Sequence, residues 1–268
     1  MVEGSRTRAL IRRRQRRRRS LAAATGVLVA AALAATAGLL YLQRGGPATP
    51  AADASASESV AAAPSPEVPV PSAPPPSFPV SGPNTFAYAG ASADVLGTGT
   101  AAVKQYRVAL ENKSGQDLAA FADTVRRVLA DPRGWTAGGD VRFQQVAKDS
   151  QKVDFTILLA TQATVDKLCA VGGIHTEQFT SCRLPGQVVL NLTRWLTAIP
   201  GYGAPLAEYQ AFELNYAVGK ELGHGNEACP APGEPAPVMQ KQVLGLKGCT
   251  PNGWPYLDGK RYAGPALP

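Results

Sequence analysis

Residues 103–111, VKQYRVALE, alternate between apolar and polar side chains in the way expected of a half-buried β-strand. The NKSG that follows is typical of a turn. Asp117 is then placed to cap a helix, because apolar residues recur after it at the spacing of one helix face. We expect that helix to end near Asp131-Pro132. The residues on its predicted buried face are Leu118, Phe121, Ala122, Val125 and Leu129.

Strand and helix patterns continue towards the C-terminus. The segment 205–222, PLAEYQAFELNYAVGKEL, predicts a long helix with Pro205 in its first turn and Gly223 ending it. Strands and helices in this order predict one α+β domain over residues 84–268. The further predicted strands, which are rich in β-branched and aromatic residues, are VRFQQVA (141–147), VDFTILLA (153–160) and QVVLNL (187–192).

Basic residues are concentrated at the N-terminus, although the whole chain carries a formal charge of +7. Residues 1–20 hold nine arginines and one glutamate, a net charge of +8. The rest of the chain holds 18 basic and 19 acidic residues, a net charge of −1. No aromatic platform or nucleic-acid-binding motif accompanies RRRQRRRR, so we expect no nucleic-acid partner.

The segment after the arginines predicts a membrane anchor. Residues 21–42, LAAATGVLVAAALAATAGLLYL, contain no charged residue and are long enough to cross about 30 Å of hydrocarbon as a helix. We therefore predict one transmembrane helix over residues 21–43, in contact with the lipid bilayer and closed by Arg44. The preceding basic residues predict a cytoplasmic tail at 1–20 and an extracytoplasmic C-terminal domain in a single-pass cell-membrane protein. A cleaved signal peptide is the alternative, although the apolar stretch exceeds the usual core of about 7 to 15 residues.

Residues 44–83 predict a linker. They are dense in proline, alanine and serine and poor in bulky apolar residues, so they cannot form a core of their own. Such a segment is expected to be disordered and to act as a semi-rigid spacer. It would hold the domain at 84–268 away from the membrane, within the cell envelope.

The four cysteines all lie in the predicted extracytoplasmic part, where an oxidising environment favours disulfides. Three connectivities are open to four cysteines. We favour Cys169 with Cys182 and Cys229 with Cys249, because each pair closes a short loop. A zinc site built from these cysteines is disfavoured, since no Cys-x-x-Cys spacing is present.

The long helix runs into NYAVGKELGHGN, residues 215–226, whose spacing matches a zinc-peptidase helix. In the pattern H-E-x-x-H-x-x-G-x-x-H, two imidazoles one turn apart face the same way and a glycine turns the chain back. A third imidazole then arrives from beyond the turn, and the glutamate activates the zinc-bound water. On this frame Tyr216, Lys220 and Asn226 stand at the ligand positions, Ala217 at the base and Gly223 at the turn.

The substituted residues are unsuited to zinc. Tyrosine and asparagine are poor ligands, and an ammonium at Lys220 would repel a cation. We therefore predict no metal, no cofactor and no catalytic residue. Tyr216-x-x-x-Lys220 is also the spacing of short-chain dehydrogenases, but no glycine-rich dinucleotide motif follows a first strand.

Other segments accompany this motif. ADPRGW, DFTILLA and DKLC precede it, and CPAPGEPAPVMQKQ and GLKGCTPNGWPY follow it. With them, the chain resembles the DUF3152 family of actinobacterial envelope proteins over nearly all of residues 84–258. Typical members read close to NHEVGHALGHGH and look like metzincin-type metallopeptidases. This chain is similar to a degenerate member, because every ligand position and the base are replaced.

The resemblance implies a metzincin-like fold, with a mixed sheet, a long active-site-type helix and Met239 in a Met-turn. It implies a pseudopeptidase that serves as a non-catalytic binding or structural module of the cell envelope. Its cleft would hold an extended peptide or an envelope polymer. An active hydrolase using non-standard residues, with or without metal, is the alternative, and a scaffold is a third. Helix geometry further predicts that Tyr216, Lys220 and Asn226 converge on one pocket.

Overall fold

The computed structural model describes residues 78–268. The predicted cytoplasmic tail, the predicted transmembrane helix and the predicted linker up to residue 77 lie outside the described residues. Within residues 78–268, no helix is both long and apolar enough to cross a membrane. This part of the chain is a mixed α+β structure with a mixed sheet and four α-helices.

The main sheet has seven strands, in the order β2-β4-β3-β5-β7-β6, with β1 paired to the end of β3. Four central strands, β4, β3, β5 and β7, run parallel, while β1, β2 and β6 run antiparallel to their neighbours. A separate hairpin joins β8 and β9. The strands are β1 (Phe86–Tyr88), β2 (Val95–Leu96), β3 (Val103–Glu111), β4 (Arg142–Gln145), β5 (Phe155–Ala160), β6 (Cys182–Leu184), β7 (Gln187–Asn191), β8 (Tyr256–Leu257) and β9 (Lys260–Arg261).

The helices confirm the predicted periodic segments. Asp117 caps the first helix by accepting a hydrogen bond from the Ala120 N–H at 2.7 Å, as expected of an N-cap aspartate. The long C-terminal helix is present and ends just before Gly223. The α-helices are α1 (Leu118–Ala130), α2 (Gln162–Val171), α3 (Leu192–Thr197) and α4 (Leu206–Glu221), and short 3₁₀ helices cover Trp135–Gly138 and Gln242–Leu244.

Helices cover both faces of the sheet. On one face, Val108 of β3, Ile157 of β5 and Val188 of β7 share a core with α1 and α4. On the other face, Leu158 and Val189 pack with residues of α2. Since successive strand residues point to opposite faces, strand segments covered on both sides are apolar throughout, as in ILLA and VVL.

The last residues of the predicted linker lie against the domain. The Val80 carbonyl accepts a hydrogen bond from the Ala163 N–H at 3.1 Å. Gly82 lies beside the buried Glu111 carboxylate, with which a Cβ at that position would overlap. That carboxylate also accepts from the Thr161 N–H and the Thr164 hydroxyl, at 2.8 and 2.6 Å.

Both predicted disulfides are confirmed. Cys169 of α2 is bonded to Cys182 of β6, and Cys229 is bonded to Cys249. The first disulfide fastens α2 to the edge strand β6, across a sequence separation of 13 residues. By restricting the unfolded chain, a loop of this length contributes about 3 kcal/mol to stability.

Candidate functional site

The C-terminal end of α4 turns the chain back on itself. Gly223 has a left-handed backbone, with φ of 94°, which a residue with a side chain rarely adopts. The His224 N–H donates to the Gly219 carbonyl at 2.9 Å, and the Gly223 N–H donates to the Lys220 carbonyl at 3.2 Å. These two bonds form a Schellman motif, which ends the helix at a defined point.

The returning chain places Asn226 beside the helix. The Leu267 N–H donates to the Asn226 carbonyl at 2.8 Å, and the Glu227 N–H donates to the Met239 carbonyl at 3.1 Å. The Tyr216 hydroxyl donates to the Asn226 side-chain oxygen at 3.1 Å. Tyr216 and Asn226, ten residues apart in sequence, are therefore in direct contact.

A cavity of about 580 Å³ opens beside α4, and we call it the cleft. Tyr216, Lys220 and Asn226 all line it, so the predicted convergence of these three residues is present in the structure. The opposite walls come from the 174–183 segment, which ends in β6, and from residues 241–244. Its volume lies within the usual range of ligand pockets, about 300–1,000 Å³.

Ala217 lies outside the cleft. It is buried and lines a small adjoining cavity of about 50 Å³, which shares Tyr216 and Val243 with the cleft. On the other side, a cavity of about 560 Å³ shares Asn226 and Lys241 with the cleft. Each of these two cavities therefore adjoins the cleft through shared lining residues.

The cleft is positively charged around Lys220. Burial lowers the pKa of the Lys220 ammonium, and the nearby charges of Lys241 and Arg183 lower that pKa further. The ammonium groups of Lys220 and Lys241 have no hydrogen-bond or ion-pair partner within residues 78–268. Arg183 is paired through its Nε with Glu221, at 2.6 Å.

Hydrogen bonds hold the 174–181 wall in place. The Thr176 hydroxyl donates to Asp166 of α2 at 2.7 Å. The Asn191 side-chain amide donates to the Gln178 carbonyl at 3.1 Å. Together with the disulfide at the base of β6, these bonds give the cleft a preformed wall.

A buried carboxyl group, Glu213, lies beneath this wall and was not predicted from the sequence. It is 5% exposed and accepts hydrogen bonds from the hydroxyls of Ser181 and Tyr209, at 2.6 and 3.0 Å. Burial raises the pKa of Glu213, and the hydrogen bonds from Ser181 and Tyr209 oppose that shift. A glutamate within a helix carries no sequence signal that separates this position from a solvated one.

Met239 lies beneath α4. It sits in a tight turn closed by the Gln240 N–H donating to the Pro237 carbonyl at 2.9 Å, and its side chain is fully buried. A Cβ at Gly219 would overlap both the Met239 sulfur and the Trp135 ring. Gly219 therefore lets Met239 approach the helix one residue before Lys220.

The two histidines lie in different surroundings. His224 stacks on Trp135, with ring centroids 4.2 Å apart and an angle of 15° between the planes. Burial lowers the pKa of His224, and the charges of Arg261 and Lys220 lower it further, which favours a neutral ring. His175 lines the cleft on its loop wall. Glu221, three residues before His224, pairs with Arg183.

The residues at the ligand positions do not fit zinc. Burial raises the pKa of Tyr216 to about 12, so its phenol keeps its proton near neutral pH. Its hydroxyl already donates to Asn226, and Lys220 brings an ammonium to the same cavity. Between residues 78 and 268, no group of three or more His, Cys, Asp or Glu side chains is arranged to hold a metal ion.

Comparison with known proteins places the chain in a family. No curated protein and no solved structure matches it. The family model for "Protein of unknown function (DUF3152)" matches residues 73–252, more than half of the 268 residues. That match spans the whole of α4, the turn at Gly223 and the buried Met239. The chain therefore belongs to the DUF3152 family.

Proposed function

We propose that the domain is a catalytically inactive, metzincin-like peptidase domain that binds an extended peptide in the cleft. One observation carries the proposal. The three residues at the ligand positions of the zinc-peptidase motif, Tyr216, Lys220 and Asn226, all line a single cavity. The cavity has the volume of a ligand pocket, whereas the side chains at the three ligand positions are a hydrogen-bonded pair and an ammonium.

The surroundings of α4 support a metzincin-like organisation. A glycine at the end of the helix turns the chain so that residue 226 returns to the face of Tyr216. A buried methionine in a tight turn lies under the same helix. These are the elements that the motif H-E-x-x-H-x-x-G-x-x-H and a Met-turn supply in an active enzyme.

The loss of the glutamate at the base position of the motif argues against hydrolysis by the zinc-peptidase mechanism. Ala217, at the position of the glutamate in the motif, has a methyl group that cannot take a proton from water. Two carboxyls lie one helical turn from Ala217: Glu221 is paired with Arg183, and Glu213 is buried and has a raised pKa. A neutral carboxyl is a poor base.

An extended peptide suits the cleft because residues of β6 line it. β6 is an edge strand that pairs only with β7 among the described strands. A peptide beside such an edge gains main-chain hydrogen bonds along its length, and alternate side chains enter the adjoining cavities. A polymer without backbone amides would gain no such bonds, so we favour a peptide over an envelope polymer.

We also propose that the chain is anchored in the cell membrane through residues 21–43, with the domain outside. The charge-free apolar span and the arginines before it support this orientation. Two disulfides and no free cysteine within residues 78–268 are consistent with an exported domain.

An active hydrolase with non-standard residues remains the second candidate because of Ser181. Its hydroxyl donates to Glu213 at 2.6 Å and lines two of the cavities. The same oxygen accepts from the Asn191 N–H at 2.9 Å, so its hydrogen bonds hold the wall in place. Peptide hydrolysis that disappears in Ser181→Ala would establish this candidate.

The test uses the full-length protein in detergent and fluorescein-labelled random decapeptides. We expect the mixture to bind and to remain intact by mass spectrometry. Val243→Trp should fill the cleft and weaken binding by at least about tenfold, the equivalent of 1.4 kcal/mol. Val95→Trp, on the opposite edge of the sheet, is the matched control and should bind like the wild type. Equal binding by all three proteins, or cleavage of the peptides, would reject the proposal.

A further inference from the structure

We propose that Lys220, Lys241 and Arg183 form an anion-binding site that recognises a carboxylate side chain of the bound peptide. This inference rests on the proposed function and names the class of peptide that the cleft selects. The three cations come from different elements, and the fold brings them to one cavity.

The polar groups around this site are mainly donors. The ammonium groups of Lys220 and Lys241 have no acceptor within the described residues. Arg183 uses its Nε for Glu221, and its terminal nitrogens have no hydrogen-bond partner in residues 78–268. Asn226 accepts from Tyr216 through its oxygen, which directs the amide nitrogen, a donor, to other partners. Several donors that have no acceptor partner among residues 78–268 therefore line one cavity, an arrangement that suits an anionic ligand.

The cations also repel one another. The positive charges of Lys241 and Arg183 act on Lys220, which is already partly withdrawn from water. An anion between them would replace this repulsion with attraction, in surroundings less polar than bulk water. Binding an anion should therefore lower the electrostatic energy of the wild-type site more than that of an isolated surface lysine.

The net charge of the site favours a carboxylate over a phosphate. Arg183 is balanced by Glu221, and Glu177 contributes one carboxylate to the loop wall. Three cations and two carboxylates leave one positive charge, which matches one carboxylate group. A phosphate dianion would leave the site negative.

Apolar side chains lie beside the proposed anion site in the cleft. Val243 and Leu244 line the same cavity as the lysines, and Leu244 is 57% exposed. An acidic residue flanked by apolar residues would pair its carboxylate with the lysines and cover these side chains. The inferred ligand is therefore an extended peptide with one Asp or Glu among apolar neighbours.

The experiment compares two sets of random decapeptides that lack Lys, Arg and His and have blocked termini. One set carries a single fixed Glu, and the other carries Gln at the same position. At low ionic strength the full-length protein should bind the Glu set about fivefold more tightly, as expected of a partly exposed ion pair. Salt at about 0.5 M should reduce the difference, because it screens such pairs.

Matched variants locate the effect. Lys220→Met and Lys241→Met keep an unbranched side chain and should each remove most of the Glu preference while still binding the Gln set. Lys152→Met, an exposed lysine before β5, should keep the preference. Inorganic phosphate at millimolar concentration should not compete with the Glu set, and competition that Lys220→Met abolishes would reassign the site to phosphate.

The outcomes separate the two proposals. Equal affinity for both sets, with binding still lost in Val243→Trp, would overturn the anion site and leave the peptide cleft standing. A Glu preference that persists in Lys220→Met and Lys241→Met would also overturn the site. No binding of either set would reject the peptide cleft itself.

Discussion

Glu213 and Lys220 lie on the same helix, and burial shifts the pKa values of their side chains in opposite directions. Burial raises the pKa of the Glu213 carboxyl and lowers the pKa of the Lys220 ammonium. In each case burial disfavours the charged form relative to the same group in water, because the charged form loses hydration. Glu213 has hydrogen-bond partners in Ser181 and Tyr209, whereas Lys220 has none within residues 78–268. Of these two residues, Lys220 is therefore the one whose hydrogen-bonding groups are available to a ligand.

At this scale we expect Glu213→Gln to change how stability depends on pH. Because the folded pKa is raised, protonated Glu213 contributes stability that is fully present below the unfolded pKa of about 4.3. That contribution is lost as the pH rises through the folded pKa. Glutamine does not titrate, so the variant keeps its free energy of unfolding where the wild type loses it. Relative to the wild type, the free energy of unfolding of the variant should therefore rise by at most about 1.4 kcal/mol per pH unit in that window.

Urea unfolding of both proteins between pH 4.5 and 8 measures this difference. Glu234→Gln, at an exposed position, is the control and should show no such trend. A difference between Glu213→Gln and wild type that stays constant across the range would show that the buried carboxyl does not titrate there.

At the scale of elements, the long periodic segments were predictable from the sequence. The alternation in VKQYRVALE corresponds to β3, Val103–Glu111, and the apolar spacing after Asp117 corresponds to α1. β6 was not predicted, because three residues are too few for a pattern and the strand is defined by its pairing with β7. The approach of Lys241 to Lys220 was likewise invisible, since the fold brings these distant positions together.

Gly223 is the element-scale residue on which the position of Asn226 depends. Gly223→Ala places a Cβ in a left-handed backbone and should destabilise the protein by about 1 kcal/mol. Gly225→Ala is the matched control, because a Cβ there meets nothing and the backbone is not left-handed. Thermal unfolding should therefore show a lower Tm for Gly223→Ala than for Gly225→Ala. Equal Tm values would mean that the turn adapts to a side chain.

At the scale of the whole molecule, the proposed extracytoplasmic location of the domain rests on its cysteines and on the apolar N-terminal segment. Protein purified from membranes without reductant should give two disulfide-linked peptide pairs on non-reducing mapping, Cys169 with Cys182 and Cys229 with Cys249. Free thiols at all four positions in such a preparation would contradict an extracytoplasmic location.

The proposed metzincin-like arrangement predicts that four substitutions can create a zinc site. Tyr216→His, Ala217→Glu, Lys220→His and Asn226→His together should restore zinc binding, because the helix, the turn and the buried methionine are in place. Zinc at about 100 times its Kd should then stabilise the quadruple variant by about 2.7 kcal/mol. Each single replacement should fail to bind zinc tightly, since three ligands are needed. A quadruple variant that folds and gains no stability from zinc would contradict the proposed frame.

The zinc content of the unmodified full-length protein tests the central claim most directly. The protein is produced in zinc-supplemented medium, dialysed against metal-free buffer and measured by elemental analysis, with the quadruple variant treated in parallel. We expect far less than stoichiometric zinc in the wild type, because an ammonium and a hydrogen-bonded phenol line the cavity where the motif places ligands. We expect stoichiometric zinc in the quadruple variant. Retention of one zinc per chain by the wild type after dialysis would contradict the claim and place the protein among the metalloenzymes.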